Sequence, residues 1–156
     1  GYNYRLTDVQ AALGISQMNK LDLFLRLRTI YAGMYTEGFA QMPELICPVP
    51  AADRMSGWHL YVIQLRPEKL STGVKRDEVI QALLAENIGV NVHYIPVYYH
   101  PYYQSLGYER GLCPHAEEGY EQCISLPLFP AMNGKDVQDV IEAVRKVMHY
   151  YSGSGD

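Results

Sequence analysis

A chain of 156 residues that is 48% hydrophobic and 19% charged is long enough to bury one core without staples and too apolar to stay disordered. Lys+Arg 13 against Asp+Glu 17 gives a formal net charge of −4. No adjacent run of cations is longer than the pairs Lys75-Arg76 and Arg145-Lys146, so the clustered charge that a nucleic-acid or anionic-membrane partner requires is missing.

The chain opens Gly1-Tyr2-Asn3-Tyr4-Arg5, without the basic-then-apolar order of a signal peptide. Thr7 with Gln10 forms a capping-box signature, and the following stretch to about Ala40 reads as helix. Leu23, Phe24, Leu27, Ile30, Tyr31 and Met34 fall on one stripe of it. A continuous helix from Asp8 to Ala40 would run roughly 50 Å at 1.5 Å per residue, longer than the ~40 Å of a compact globule of this size. It must break or overhang. Asn19, Gly14 and Gly33 offer break points, and the apolar arm is expected to pack on a surface outside these residues.

Trp58 to Arg66 alternates with apolar residues on both faces and predicts an inner strand. A helix follows at about Asp77 to Glu86, with Val79, Ile80, Leu83 and Leu84 inward. Ile88 to Ile95 predicts a short strand that sends Asn91, His93 and Ile95 to one face and ends at Pro96. Its uncharged run on to Gln104 contains Asn91, His93, His100 and two prolines, Pro96 and Pro101, which a bilayer core excludes. Pro101 to Leu106 makes one helical turn, Pro114 opens a further helix, and Cys123 to Leu126 is a strand closed off by Pro127 and Pro130. Asn133 caps a last helix whose stripe is Val137, Val140, Ile141, Val144, Val147 and Met148. The residues from Ser152 to Asp156 have the composition of a flexible tail. The expected class is α+β, a small mixed or antiparallel sheet flanked by helices with a long N-terminal helical arm.

Few residues announce chemistry. Cys47, Cys113 and Cys123 share no CxxC spacing, which argues against a disulfide framework or a zinc site and fits a reducing cytoplasm. His93 and His100 lack a carboxylate or Cys at ligand spacing, so no metal is expected. Spacing alone leaves a Ser-His or Cys-His pair open, although no GxSxG elbow exists, and neither GxGxxG nor GxxxxGK[ST] signals a phosphate cradle. The composition has 14 Tyr against 3 Phe and 1 Trp, and Tyr94, Tyr98, Tyr99, Tyr102 and Tyr103 crowd together. Such a cluster suits either a packed strand end with hydroxyls at its rim or a loop that stacks a sugar or nucleotide.

Four blocks in order carry a resemblance. They are Gly1-Tyr2-Asn3-Tyr4-Arg5-Leu6-Thr7-Asp8-Val9-Gln10-Ala11-Ala12-Leu13-Gly14, Trp58-His59-Leu60-Tyr61-Val62, Ile88-Gly89-Val90-Asn91-Val92-His93-Tyr94-Ile95-Pro96-Val97, and Ser125-Leu126-Pro127-Leu128-Phe129-Pro130. Together they resemble the C-terminal part of the DegT/StrS family of sugar aminotransferases, and Val90 to Val97 with Pro101 to Tyr108 is most similar to its pseudaminic-acid-pathway branch. The resemblance implies a homodimeric fold-type-I enzyme that uses pyridoxal 5'-phosphate (PLP) at the subunit interface. It implies amino transfer from L-glutamate to C4 of a UDP-4-keto-6-deoxyhexose, with PLP as electron sink. Residues 1–42 would then end the large domain, 43–151 would form the small one, and 152–156 the tail.

Within that resemblance, Asn3 matches an amide that reaches the PLP phosphate across the dimer, and Arg5 is the candidate for an anionic substrate group. His93 and Tyr94 resemble the substrate loop, and His59 is a further candidate that could instead face the core. Tyr98 stands where the pattern often continues with His, a departure on the substrate side. None of Lys20, Lys69, Lys75, Lys135 or Lys146 matches the Schiff-base motif, so no catalytic residue is expected here and the segment alone is expected to be inactive. A non-catalytic dimerisation or sugar-nucleotide-binding module on the same scaffold is the alternative, and a generic α+β interaction domain a third.

Overall fold

A computed structural model describes residues 2–153; most of the tail assigned above, 154–156, lies outside them. Thr7 starts the first helix, α1 (Asp8–Met18): its hydroxyl accepts the Gln10 N–H while the Gln10 side-chain oxygen accepts the Thr7 N–H at 3.0 Å. The long helix breaks at Asn19 and Lys20, and α2 (Leu21–Gly38) follows. Gly14 and Gly33 stay helical, so the break falls at the polar pair rather than at a glycine. No residue of α1 is buried, and Leu6, Val9, Leu13, Ile15 and Met18 all face outward.

The stripe expected on α2 is rotated. Leu23 and Ile30 are 46% and 50% exposed, whereas Tyr31, Ala32, Tyr35 and Phe39 form the buried face. The reason is polar as well as apolar. Tyr31 donates its hydroxyl to the Met132 carbonyl at 2.5 Å and Tyr35 donates to the Pro127 carbonyl at 2.7 Å, so these amphipathic rings bury their faces and satisfy a loop with their tips. Ala32, with no bulk, allows close approach.

Three strands, β1 (Leu45–Ile46), β2 (Tyr61–Leu65) and β3 (Cys123–Leu126), pair antiparallel in the order β1-β2-β3. The register sets Leu45 opposite Leu65, Tyr61 opposite Leu126 and Ile63 opposite Ile124. The inner strand is shorter than the sequence predicts, because Trp58 takes φ 46°, a left-handed conformation that ends the alternation, and His59 is exposed. The strand expected at Ile88 to Ile95 is also absent. Only Asn91 pairs, exchanging backbone bonds of 3.1 and 2.8 Å with Ser125. Beside it the Asn91 side chain accepts the Val92 N–H at 2.7 Å, a local bond that competes with a ladder.

The remaining α-helices are α3 (Arg76–Ala85), α4 (Pro101–Ser105), α5 (Pro114–Gln122) and α6 (Gly134–Tyr151). Asn133 caps α6 by accepting the N–H groups of Lys135 and Asp136, and the predicted stripe from Val137 to Met148 is buried throughout. Helices α2 and α3 both pack on α6, and α5 lies against β2. One core therefore joins Tyr35 and Phe39 of the arm to Tyr61, Ile63, Leu83, Ile124 and Val144. The second half of the arm is covered by this chain itself; its first half is not.

Candidate functional site

The candidate residues form two groups. At the N-terminal end, Asn3 Oδ1 accepts the backbone N–H of Arg5 at 3.1 Å, which folds the short segment back on itself. That bond leaves the Asn3 amide nitrogen and the whole Arg5 guanidinium without a partner among the described residues, both exposed. Two free donor groups, with the Asn3 oxygen already engaged, make a set suited to anionic oxygens.

The second group lies where the 88–100 segment crosses β3. His93 is half-buried, and its Nδ1 lies 2.8 Å from Ser125 Oγ. The His93–Tyr94 peptide is cis, the two rings meet edge to face at 4.6 Å, and Tyr94 is 75% exposed. Tyr98 turns the other way. Its hydroxyl donates to Glu117 Oε1 at 2.6 Å, and the same carboxylate oxygen accepts the Gly111 N–H at 2.7 Å. Loss of hydration and then the Glu117 carboxylate push the Tyr98 phenol up to about 12, while the Tyr98 hydroxyl holds Glu117 below the usual carboxylate range. Next to it Tyr99 is buried edge-on between Tyr98 and Tyr120, with the Arg110 guanidinium 4.2 Å above its ring. Tyr98 and Tyr99 thus pin the loop to α5, whereas Tyr94, Tyr102 and Tyr103 keep their rings accessible. The tyrosine cluster divides between packing and surface.

His59 is exposed, and its backbone rather than its ring is engaged: Arg28 Nη1 donates to the carbonyls of Trp58, His59 and Leu128 at 3.0, 3.1 and 2.8 Å. No hydrogen bond or ring contact among the described residues joins Asn3 or Arg5 to His93, Tyr94, Tyr98 or His59. A groove of about 720 Å³ between the end of α3 and α6 is lined by Glu86, Phe129, Asp136 and Lys146 and touches none of them. Among the described residues, no group of three His, Cys, Asp or Glu could hold a metal and no helix is long and apolar enough to cross a membrane.

Sequence reasoning missed Ser125, Arg28 and Glu117. Ser125 gave no signal of its own, since the burial of every position in the four-residue strand where it is the lone hydroxyl is a fact of the fold. Arg28 had a faint signal, a cation three residues before Tyr31 and seven before Tyr35 and therefore on their side of the helix.

Comparison with known proteins gives this geometry its context. The DegT/DnrJ/EryC1/StrS aminotransferase family model matches residues 1–145. The spore coat polysaccharide biosynthesis protein SpsC of Bacillus subtilis is 47% identical over 150 residues, 95% of this chain and 38% of SpsC. The Helicobacter pylori aminotransferase PseC, involved in the biosynthesis of pseudaminic acid, superposes with TM-score 0.86 at 29% identity over 97% of this chain and 40% of that one. S. venezuelae DesV, solved with a ketimine intermediate, gives TM-score 0.85 at 32% identity over 95% of this chain and 38% of its own. The chain therefore spans well under half the length of the relatives it matches, and it corresponds to the C-terminal portion of an aminotransferase fold. By that family match and that fold, the chain belongs to the DegT/DnrJ/EryC1/StrS aminotransferase family.

Proposed function

We propose that this chain is the C-terminal segment of a PLP-dependent, homodimeric nucleotide-sugar aminotransferase working in the cytoplasm. It would comprise the end of the large domain, residues 1–42, and the small domain, 43–151. The reaction is amino transfer from L-glutamate to the keto carbon, C4, of a UDP-4-keto-6-deoxyhexose. The family match and the role of PseC in pseudaminic-acid biosynthesis support this substrate class. The observation that carries the reading is the unpartnered donor pair Asn3 and Arg5 at the tip of an uncovered apolar helix. Donors aimed away from their own chain serve a site completed by another surface.

The residues present fit part of a PLP site. The Asn3 amide nitrogen is free to donate to a phosphate oxygen, and the Arg5 guanidinium can pair with a carboxylate or diphosphate. PLP, when bound, supplies the electron sink that lets an amino group leave one carbon and join another. Around the sugar, His93 and Tyr94 offer a ring nitrogen and an exposed aromatic face, and His59 an exposed imidazole. Tyr98 contributes by holding the 96–113 loop through Glu117. In this reading no lysine of the segment carries the Schiff base, so the segment alone is inactive.

The test is absorbance at the visible PLP–protein band, for this chain and for the protein extended upstream to the length of its relatives. Only the extended protein is expected to bind PLP and aminate a UDP-4-keto sugar. PLP binding by the short chain would favour the binding-module reading, and failure of both would reduce the likeness to scaffold.

A further inference from the structure

We infer that Ser125 is a positioning residue that fixes His93 as an outward N–H donor toward an oxygen of the nucleotide-sugar. This inference rests on the reading of His93 as a substrate-side residue. Three bonds hold the pair together. Ser125 exchanges two backbone hydrogen bonds with Asn91, which sets the 88–95 segment against β3, and its side chain reaches His93 Nδ1 at 2.8 Å.

The direction of that side-chain bond follows from counting donors. Ser125 is 3% exposed, and among the described residues its hydroxyl has no other hydrogen-bond partner than His93 Nδ1. If Nδ1–H donated to Oγ, the serine proton would be buried without an acceptor, which is the costly arrangement. If the serine O–H donates to Nδ1, every buried group is satisfied and the neutral imidazole carries its proton on Nε2. Nε2 makes no hydrogen bond within the described residues, yet no buried side-chain polar atom among them lacks a partner. Nε2 therefore lies where solvent and ligand can reach it. The half-buried ring, clamped at one nitrogen, presents a fixed N–H at the other.

The same geometry disposes of a Ser-His nucleophile. Ser125 Oγ is enclosed within β3, and among the described residues no carboxylate bonds the far side of the ring, so they supply neither an accessible nucleophile nor a third orienting group. The serine orients the histidine rather than being activated by it.

Long-range proton–nitrogen NMR correlations on the histidine side chains of this chain, near pH 8, read the tautomer directly. His93, assigned with His93→Gln, is expected to show a protonated Nε2 and a bare Nδ1. Ser125→Ala is expected to shift its population toward the other tautomer, and Ser125→Thr, which keeps the hydroxyl, to restore it. In the extended protein Ser125→Ala is expected to raise KM for the keto sugar about 3- to 10-fold, the worth of one neutral hydrogen bond, and to leave the L-glutamate half-reaction unchanged. A protonated Nδ1 in the unmodified chain, or equal loss in both half-reactions, overturns the inference. An extended protein that aminates nothing while His93 keeps its Nε2–H would sink the aminotransferase reading and leave this hydrogen bond standing.

Discussion

Replacing Arg28 with Met keeps an unbranched stem of similar length and removes the guanidinium. In the structure one terminal nitrogen, Nη1, serves the carbonyls of Trp58, His59 and Leu128 at 2.8 to 3.1 Å. Nη1 carries two protons, so three acceptors share at most two full bonds. Taking about 1.5 kcal/mol for each hydrogen bond to a charged group gives about 3 kcal/mol for Arg28→Met. For a domain of this size that corresponds to a fall in Tm of about 6–12 °C. Urea unfolding followed by circular dichroism is the assay, and the midpoint should drop with little change in slope, since the surface exposed on unfolding is nearly the same. A loss below about 0.5 kcal/mol would show that water serves those carbonyls as well as Arg28 does, and that the guanidinium is not the clamp between α2 and the two loops.

Other outcomes follow from single contacts. Tyr98→Phe should deprotect the Gly111 amide in hydrogen exchange at neutral pH, since both groups meet at Glu117 Oε1; unchanged exchange there would refute the pinning role. The same contact sets a pH window. Glu117 titrates in the folded state below its unfolded value of about 4.3, so its contribution is full above that value and is lost as pH falls through the folded pKa. Tyr98 is raised from 10.0 to about 12, so its contribution is full below the unfolded value and is lost as pH rises through about 12. Gly111 protection should therefore disappear at both ends, and a single-sided profile would contradict the pairing. Gly38→Ala places a Cβ 2.7 Å from Ile141 Cδ1 and 3.0 Å from Cγ1, an overpacking cost that outweighs the helix-propensity gain. A net loss of about 1 kcal/mol is expected, partly rescued by Ile141→Val in thermal melts; a stabilised Gly38→Ala would mean that Ile141 moves aside freely. Leu13→Glu should leave Tm within experimental error, since the residue is exposed, while abolishing concentration-dependent association in light scattering. A monomeric unmodified chain would count against a partner surface for α1.

Patterns that depend on neighbours along the chain were legible. The Thr7–Gln10 box, the Asn133 cap, the α6 stripe and the prolines that open α4 and α5 each act within a turn or two of helix, and the sequence places them within a residue or so. The inward face of α2 was not legible, because a periodicity count credits Leu23 and Ile30 but cannot see that carbonyls some ninety residues later call for the hydroxyls of Tyr31 and Tyr35. The false strand at 88–95 failed for a related reason: alternation was present, but only Asn91 finds a partner. In the candidate site, resemblance pointed to His93, whereas Ser125 and Glu117 emerge only from contacts between distant segments.

The hydroxyls of Tyr31 and Tyr35 and the guanidinium of Arg28 all reach carbonyls between Pro127 and Met132, so much of the arm's cover comes from the last third of the chain. During synthesis the arm leaves the ribosome ahead of much of what buries it: β3 and α6 arrive about a hundred residues later. At 5–20 residues per second the apolar side of α2 therefore waits roughly five to twenty seconds without its cover. Closing so long a loop is intrinsically slow, which makes the nascent arm a natural client for a chaperone and makes truncation before α6 far more damaging than its position in the sequence implies.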